Sequence, residues 1–97
     1  MTNLVVWDTT CATITIRWDK PLDNPQCVND YIADVEIQGK TIQELKLSAF
    51  VRSDYELTFS GPEIVPGRDY RIDVQAENKD GQLSSKVSTT ATTDFFC

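Results

Sequence analysis

The sequence predicts an all-β chain folded as a seven-stranded antiparallel β-sandwich of immunoglobulin-like type. Three observations predict it. Apolar and polar residues alternate with a period of two in several separate stretches, the pattern of strands with one buried face. Turn residues punctuate these stretches at short intervals, among them Gln38-Gly39, Ser60-Gly61-Pro62 and Asp80-Gly81. The third is the stretch Ile64–Asn78, in which a Pro66-Gly67 turn feeds a strictly alternating run. Tyr70, Ile72, Val74 and Ala76 share one parity there, and Arg71, Asp73, Gln75 and Glu77 the other.

Taken in order, Leu4 to Asp8 is β-prone, with Leu4 and Val6 on one face and Val5 and Trp7 on the other. Ala12 to Trp18 alternates strictly, Ala12, Ile14, Ile16 and Trp18 against Thr13, Thr15 and Arg17. Asp19-Lys20-Pro21 ends that strand, and Leu22 to Asn29 is a loop holding Pro25 and Cys27. Tyr31 to Ile37 is the third strand, with Tyr31, Ala33, Val35 and Ile37 inward and Ile32, Asp34 and Glu36 outward. After the Gln38-Gly39-Lys40 turn the pattern is ragged: Ile42, Leu45, Leu47 and Phe50 would suit a helical turn, but a short edge strand within Thr41–Arg52 suits the architecture better. Tyr55, Leu57 and Phe59 alternate again before the break at Ser60-Gly61-Pro62. Beyond the corner strand, Asn78-Lys79-Asp80-Gly81 reads as a tight hairpin, with Asp-Gly as its turn signal. Ser84 to Thr93, rich in Thr, Ser and Val, is the final edge strand, and residues 94–97 are a tail.

The Ile64, Pro66 and Tyr70 spacing resembles a tyrosine corner, in which the Tyr hydroxyl bonds backbone just upstream. With Trp18, Pro21, Tyr31, the Ala76-x-Asn78 tail, and Leu4 fourteen residues ahead of Trp18, the chain resembles a fibronectin type III domain over Leu4 to Thr93, one domain in 1–97. The resemblance implies structural roles for Trp18, Tyr31, Ile64, Pro66 and Tyr70. It implies a non-catalytic spacer or protein-binding module of an extracellular adhesion protein or receptor ectodomain. The loops Leu22–Asn29 and Asn78–Gly81 are expected at one end of the sandwich, with the tip near Asp54 beside them. Two alternatives are a linker module of a secreted multidomain enzyme and an engineered type III scaffold. The second fits poorly, because Leu22-Asp23-Asn24-Pro25-Gln26-Cys27 lacks the Tyr, Ser and Gly of scaffold loops. Gly67-Arg68-Asp69 permutes the Arg-Gly-Asp motif that some type III domains carry, but it stands at the corner and reads as corner structure.

Composition narrows the function further. The net charge is −6, from 15 acidic against 9 basic residues, which disfavours nucleic acid and anionic membranes. No apolar run approaches a membrane span, and Met1-Thr2-Asn3 opens no signal-peptide pattern, so a secreted parent would contain this chain as an excised piece. There is no histidine, no Gly-rich phosphate loop and no Cys-x-x-Cys, and Asn78–Gly81 lacks the ligand series of a calcium loop. No catalytic, cofactor or metal residues are therefore expected. The partner is expected to be a protein or a neighbouring domain of the same chain.

Two surfaces are candidates for that contact. Asp34 and Glu36 point outward from one strand and Asp73 and Glu77 from another; in the resembled fold these strands are neighbours in one sheet, which implies that the four acids converge as an acidic face, relieved in part by Arg71. Trp7, opposite in parity to Leu4 and Val6, should face outward near a terminus. The cysteines, Cys11, Cys27 and Cys97, are odd in number and stand 16 and 70 residues apart. In the resembled fold the turn before the second strand and the end of the last lie at one pole. Any intramolecular disulfide is thereby expected to be Cys11–Cys97, three reduced thiols being the alternative. A Cys11–Cys27 bond would have to bridge the roughly 20–23 Å that an extended strand from Ala12 to Trp18 spans, unless the loop ran back the whole way.

Overall fold

The computed structural model describes residues 2–19, 28–48 and 54–96. Pro21, most of the Leu22–Asn29 loop with Pro25 and Cys27, Phe50, Arg52 and Cys97 lie outside the described residues. The described residues form seven strands: β1 (Thr2–Thr9), β2 (Ile14–Asp19), β3 (Asp30–Ile37), β4 (Lys40–Ser48), β5 (Asp54–Phe59), β6 (Asp69–Glu77) and β7 (Val87–Thr92). They form two antiparallel sheets, one ordered β1-β2-β5 and the other β4-β3-β6-β7. The all-β sandwich read from the sequence is the fold observed.

The sheets meet through the inward parity of each strand. Ile14, Ile16 and Trp18 from β2 and Tyr55 and Phe59 from β5 face Tyr31, Ala33 and Val35 from β3 and Tyr70, Ile72 and Val74 from β6. At one pole Trp18, Tyr31 and Tyr55 cluster, with Trp18 edge-on to Tyr31 at 5.3 Å and stacked on Tyr55 at 5.7 Å. Such offset and edge-to-face geometry suits the ring quadrupoles. At the other pole the corner segment before β6 closes the core with Ile64.

Three strand limits differ from the sequence reading, each for a local reason. β2 begins at Ile14 rather than Ala12, because Thr10 makes a turn: its N–H donates to Thr13 O at 3.0 Å, and its Oγ1 accepts the Ala12 N–H at 3.2 Å. A hydroxyl that bonds nearby backbone competes with the ladder. β7 begins at Val87 rather than Ser84, because the Ser84 Oγ takes the Ala76 N–H at 2.9 Å. The side chain there replaces a strand carbonyl. The ragged middle segment is the full nine-residue edge strand β4, not a short one. Its period breaks because a bulge lies between the pairs Val35↔Gln43 and Glu36↔Thr41, leaving Ile42 as the extra residue. A bulge shifts parity by one, so Ile42 and Leu45 both turn toward the core. β3 and β4 join through Gln38 (φ 52°) and Gly39 (φ 79°), a two-residue turn with both φ positive, which matches the strand twist.

Candidate binding surfaces

On the outer face of the three-stranded sheet, alternation in β1 leaves Val5 and Trp7 outside while Leu4 and Val6 pack on the core. Trp7 is 58% exposed. It is not loose: the Arg17 guanidinium from β2 lies over its ring at 3.7 Å from the centroid. Arg17 is itself held by Glu56 of β5 at 3.0 Å, its direct cross-strand neighbour. The result is a braced aromatic plate, with the ring on β1, the cation on β2 and the carboxylate on β5. Parity alone places Trp7 outside but does not show its brace. The signal was Arg17 and Glu56 at outward parity; recognising it required knowing that β2 pairs with β5.

The outer face of the four-stranded sheet carries the acids, but not as the open, convergent face read from the sequence. Glu44, Asp34, Asp73 and Ser88 stand side by side in one lateral row across β4, β3, β6 and β7. Asp73 is buried, 2% exposed, so it is not an outward solvated residue. Its Oδ1 accepts hydrogen bonds from Arg71 Nε at 3.1 Å and from Ser88 Oγ. Burial raises the Asp73 pKa, but hydrogen bonds with Ser88, Glu36 and Arg71 outweigh it and hold the carboxyl below its ordinary value. Asp34 goes the other way. Burial, then the neighbouring Glu44 carboxylate and Asp73, raise it against a weaker pull from Lys86. One oxygen, Asp34 Oδ1, is buried with no hydrogen-bond partner among the described residues. Glu36 stands one row along, opposite Arg71, with 3.7 Å between Oε1 and Nε. Glu77 does not join the others. It pairs with Asp30 at the far end of β6 and binds Lys46 Nζ at 3.0 Å. Of the four acids expected together, three form a cluster and the fourth belongs to a separate ion pair. Glu44 takes its place, visible only once β4 is placed beside β3.

The corner lies at the pole where β6 begins. The Tyr70 hydroxyl accepts the Val65 N–H at 2.8 Å and donates to Glu63 O at 3.1 Å. Thr93, 1% exposed, ties the corner from the other side: its Oγ1 donates to Val65 O at 2.7 Å and accepts the Arg68 N–H at 3.0 Å. The tail then folds back. Asp94 N–H donates to Thr10 O at 3.1 Å, and Asp94 O accepts the Gly67 N–H at 3.2 Å. Phe95 lies across Gly67, where a Cβ would stand 2.6 Å from its ring, and the φ of 66° also favours glycine there. Gly67-Arg68-Asp69 is bound up in this corner. At the opposite pole, Asn29 N–H donates to Glu77 O at 2.8 Å, joining the loop end to the β6 hairpin. A mostly apolar cleft of about 310 Å³ lies there between Val28 and Leu83. Among the described residues no group of three or more His, Cys, Asp or Glu is arranged to hold a metal ion. Among the described residues no helix is long and apolar enough to cross a membrane.

A family model described as fibronectin type III domain matches residues 1–92. Among curated proteins nothing matches. Among solved structures, a Yersinia enterocolitica family 28 exopolygalacturonase aligns with a TM-score of 0.70 and 19% identity, over 96% of this chain and 20% of that one. This chain thus spans only a fraction of that enzyme's length. The fibronectin type-III domain of human fibronectin type III domain containing protein 3 aligns with a TM-score of 0.67 and 18% identity, over 96% of this chain and 83% of that one. At these identities the likeness is one of fold.

Proposed function

Since the chain belongs to the fibronectin type III family, we propose that it is a non-catalytic module of a larger extracellular protein, contacting a protein partner or neighbouring domain through the outer face of β1-β2-β5. The observation that carries this reading is the exposed Trp7 plate, held in place by Arg17 and Glu56. An exposed indole whose orientation is already fixed loses little freedom on docking, and Trp and Arg are the side chains that most often anchor interfaces. The three clustered acids fit a secondary role toward a basic partner, limited because Asp73 is buried and internally satisfied. The test is Trp7→Ala in the full-length parent. Binding to its protein partner should weaken about tenfold or more, as for a central anchor, with the domain's melting temperature nearly unchanged. Unchanged affinity would remove the plate from the interface.

A second reading, a linker module of a secreted enzyme, is favoured by one observation: the same fold occupies 20% of the exopolygalacturonase chain. On that reading the Trp7 plate packs against a catalytic domain of the same polypeptide. Deleting the module would then lower the enzyme's stability without abolishing its chemistry.

A further inference from the structure

Asn78 ties the tip of the hairpin after β6. Asn78 Oδ1 accepts the N–H groups of Asp80 and Gln82, both at 2.9 Å, and Asn78 O accepts the Gly81 N–H at 3.1 Å. This is an Asx-turn closed on a glycine at φ 82°. Asp80 and Gly81 are exposed, and a Cβ at Gly81 would meet nothing within 4 Å. Among the described residues the Asp80 carboxylate has neither a hydrogen bond nor an ion pair. Asp80 is also the only Asp followed by Gly, and no Asn precedes a Gly. Every other Asp is followed by a residue whose side chain crowds its amide, and most of them lie in paired strands.

We infer that Asp80-Gly81 is the chain's site of isoaspartate formation, and that the Asn78 side chain sets its rate by fixing, through its bonds to the Asp80 and Gln82 N–H groups, the turn that keeps the Gly81 amide on the Asn78 main-chain carbonyl and away from the Asp80 carboxyl. In the reaction the Gly81 backbone nitrogen gives up its proton and bonds to Asp80 Cγ. The carboxyl oxygen leaves as water, closing a five-membered succinimide. Water then adds back to either imide carbonyl. Addition at Cγ breaks the new N–C bond and restores Asp. Addition at the former main-chain carbonyl breaks the original peptide bond and leaves the backbone running through Cβ and Cγ. One water leaves and one returns, and nothing is oxidised. The product carries an extra methylene in the main chain. It cannot keep the three Asn78 hydrogen bonds in register, nor the Glu77↔Leu83 bridge beside them.

The folded chain is aged at neutral pH and physiological temperature beside the peptide Glu77-Asn78-Lys79-Asp80-Gly81-Gln82-Leu83. Both are mapped by electron-transfer fragmentation and by resistance to a protease that cuts before Asp but not before isoaspartate. Isoaspartate should accumulate at Asp80 and at no other Asp, more slowly than in the peptide, and should be absent from Asp80→Glu. Asn78→Ala, checked as folded by its tryptophan fluorescence, should convert severalfold faster than the native chain. A native chain still unconverted when the peptide has fully converted would overturn the site. An Asn78→Ala rate equal to or below the native one would overturn the role of Asn78.

Discussion

The Tyr70 hydroxyl joins two backbone groups that the chain places just upstream of it, the Val65 N–H and the Glu63 carbonyl. Removing it leaves both without that partner at a half-buried site. Tyr70→Phe should therefore lose roughly 1–3 kcal/mol, the size of a buried hydrogen bond with its stranded partner. Urea melts of the two proteins measure it, and coincident midpoints would show that the corner contributes nothing. Trp18 is 1% exposed and touches both other rings of the aromatic cluster, so Trp18→Ala should cost about 3–5 kcal/mol or prevent folding. Asp34 gives a prediction in pH. Its folded-state pKa is raised above the ordinary 3.8, so its contribution is fully present below that value and is lost as pH rises through the raised one. Asp73, held low, contributes in the opposite sense, fully above 3.8 and lost as pH falls. Asp34→Asn supplies the neutral form at every pH. Its melting temperature should exceed the native one at neutral pH, and the gap should close on acidification. A gap that did not change with pH would rule out Asp34 as the titrating group.

At the scale of the element, legibility followed burial. β2, β3 and β6 are the inner strands, each paired on both sides, and their alternation was plain in the sequence because one face of each is sealed against the other sheet. β4, an edge strand, was not plain. The bulge at Ile42 resets its parity, and a one-residue shift looks in sequence like a helical spacing. The ends of β2 and β7 were misplaced where Thr10 and Ser84 bond backbone through their hydroxyls, a choice that composition does not announce. The candidate surfaces divide in the same way. Parity alone put Trp7 outside and the acids on one face. Register alone decided that Glu44 rather than Glu77 neighbours Asp34, and that Arg17 and Glu56 brace Trp7. The β3–β4 turn offers a check on the element itself. Gln38 holds φ 52°, a conformation that Asn tolerates better, so Gln38→Asn should raise the melting temperature. A lower one would contradict the turn geometry.

The whole molecule is organised by two poles. One gathers the corner, the Thr10 turn and the returning tail; the other gathers the loop end at Asn29, the β6 hairpin and the aromatic cluster. The tail's bond from Asp94 to Thr10 supports our proposal that any intramolecular disulfide joins Cys11 to Cys97. It would close nearly the entire chain and, on the loop-entropy model, stabilise by about 4–5 kcal/mol less any strain. Mapping a non-reduced, alkylated digest decides it, and a Cys11–Cys27 peptide would contradict the pole assignment. The sandwich buries Trp18 and exposes Trp7, which we propose serves as a docking plate. Acrylamide quenching of Trp7→Phe and Trp18→Phe, each a single-tryptophan chain, measures it, with the latter repeated inside the full-length parent bound to its partner. Trp18 should be shielded throughout, and Trp7 should be freely quenched in the isolated chain and shielded in the parent complex. A Trp7 already shielded in the isolated chain, or equally quenched in both settings, would contradict the account.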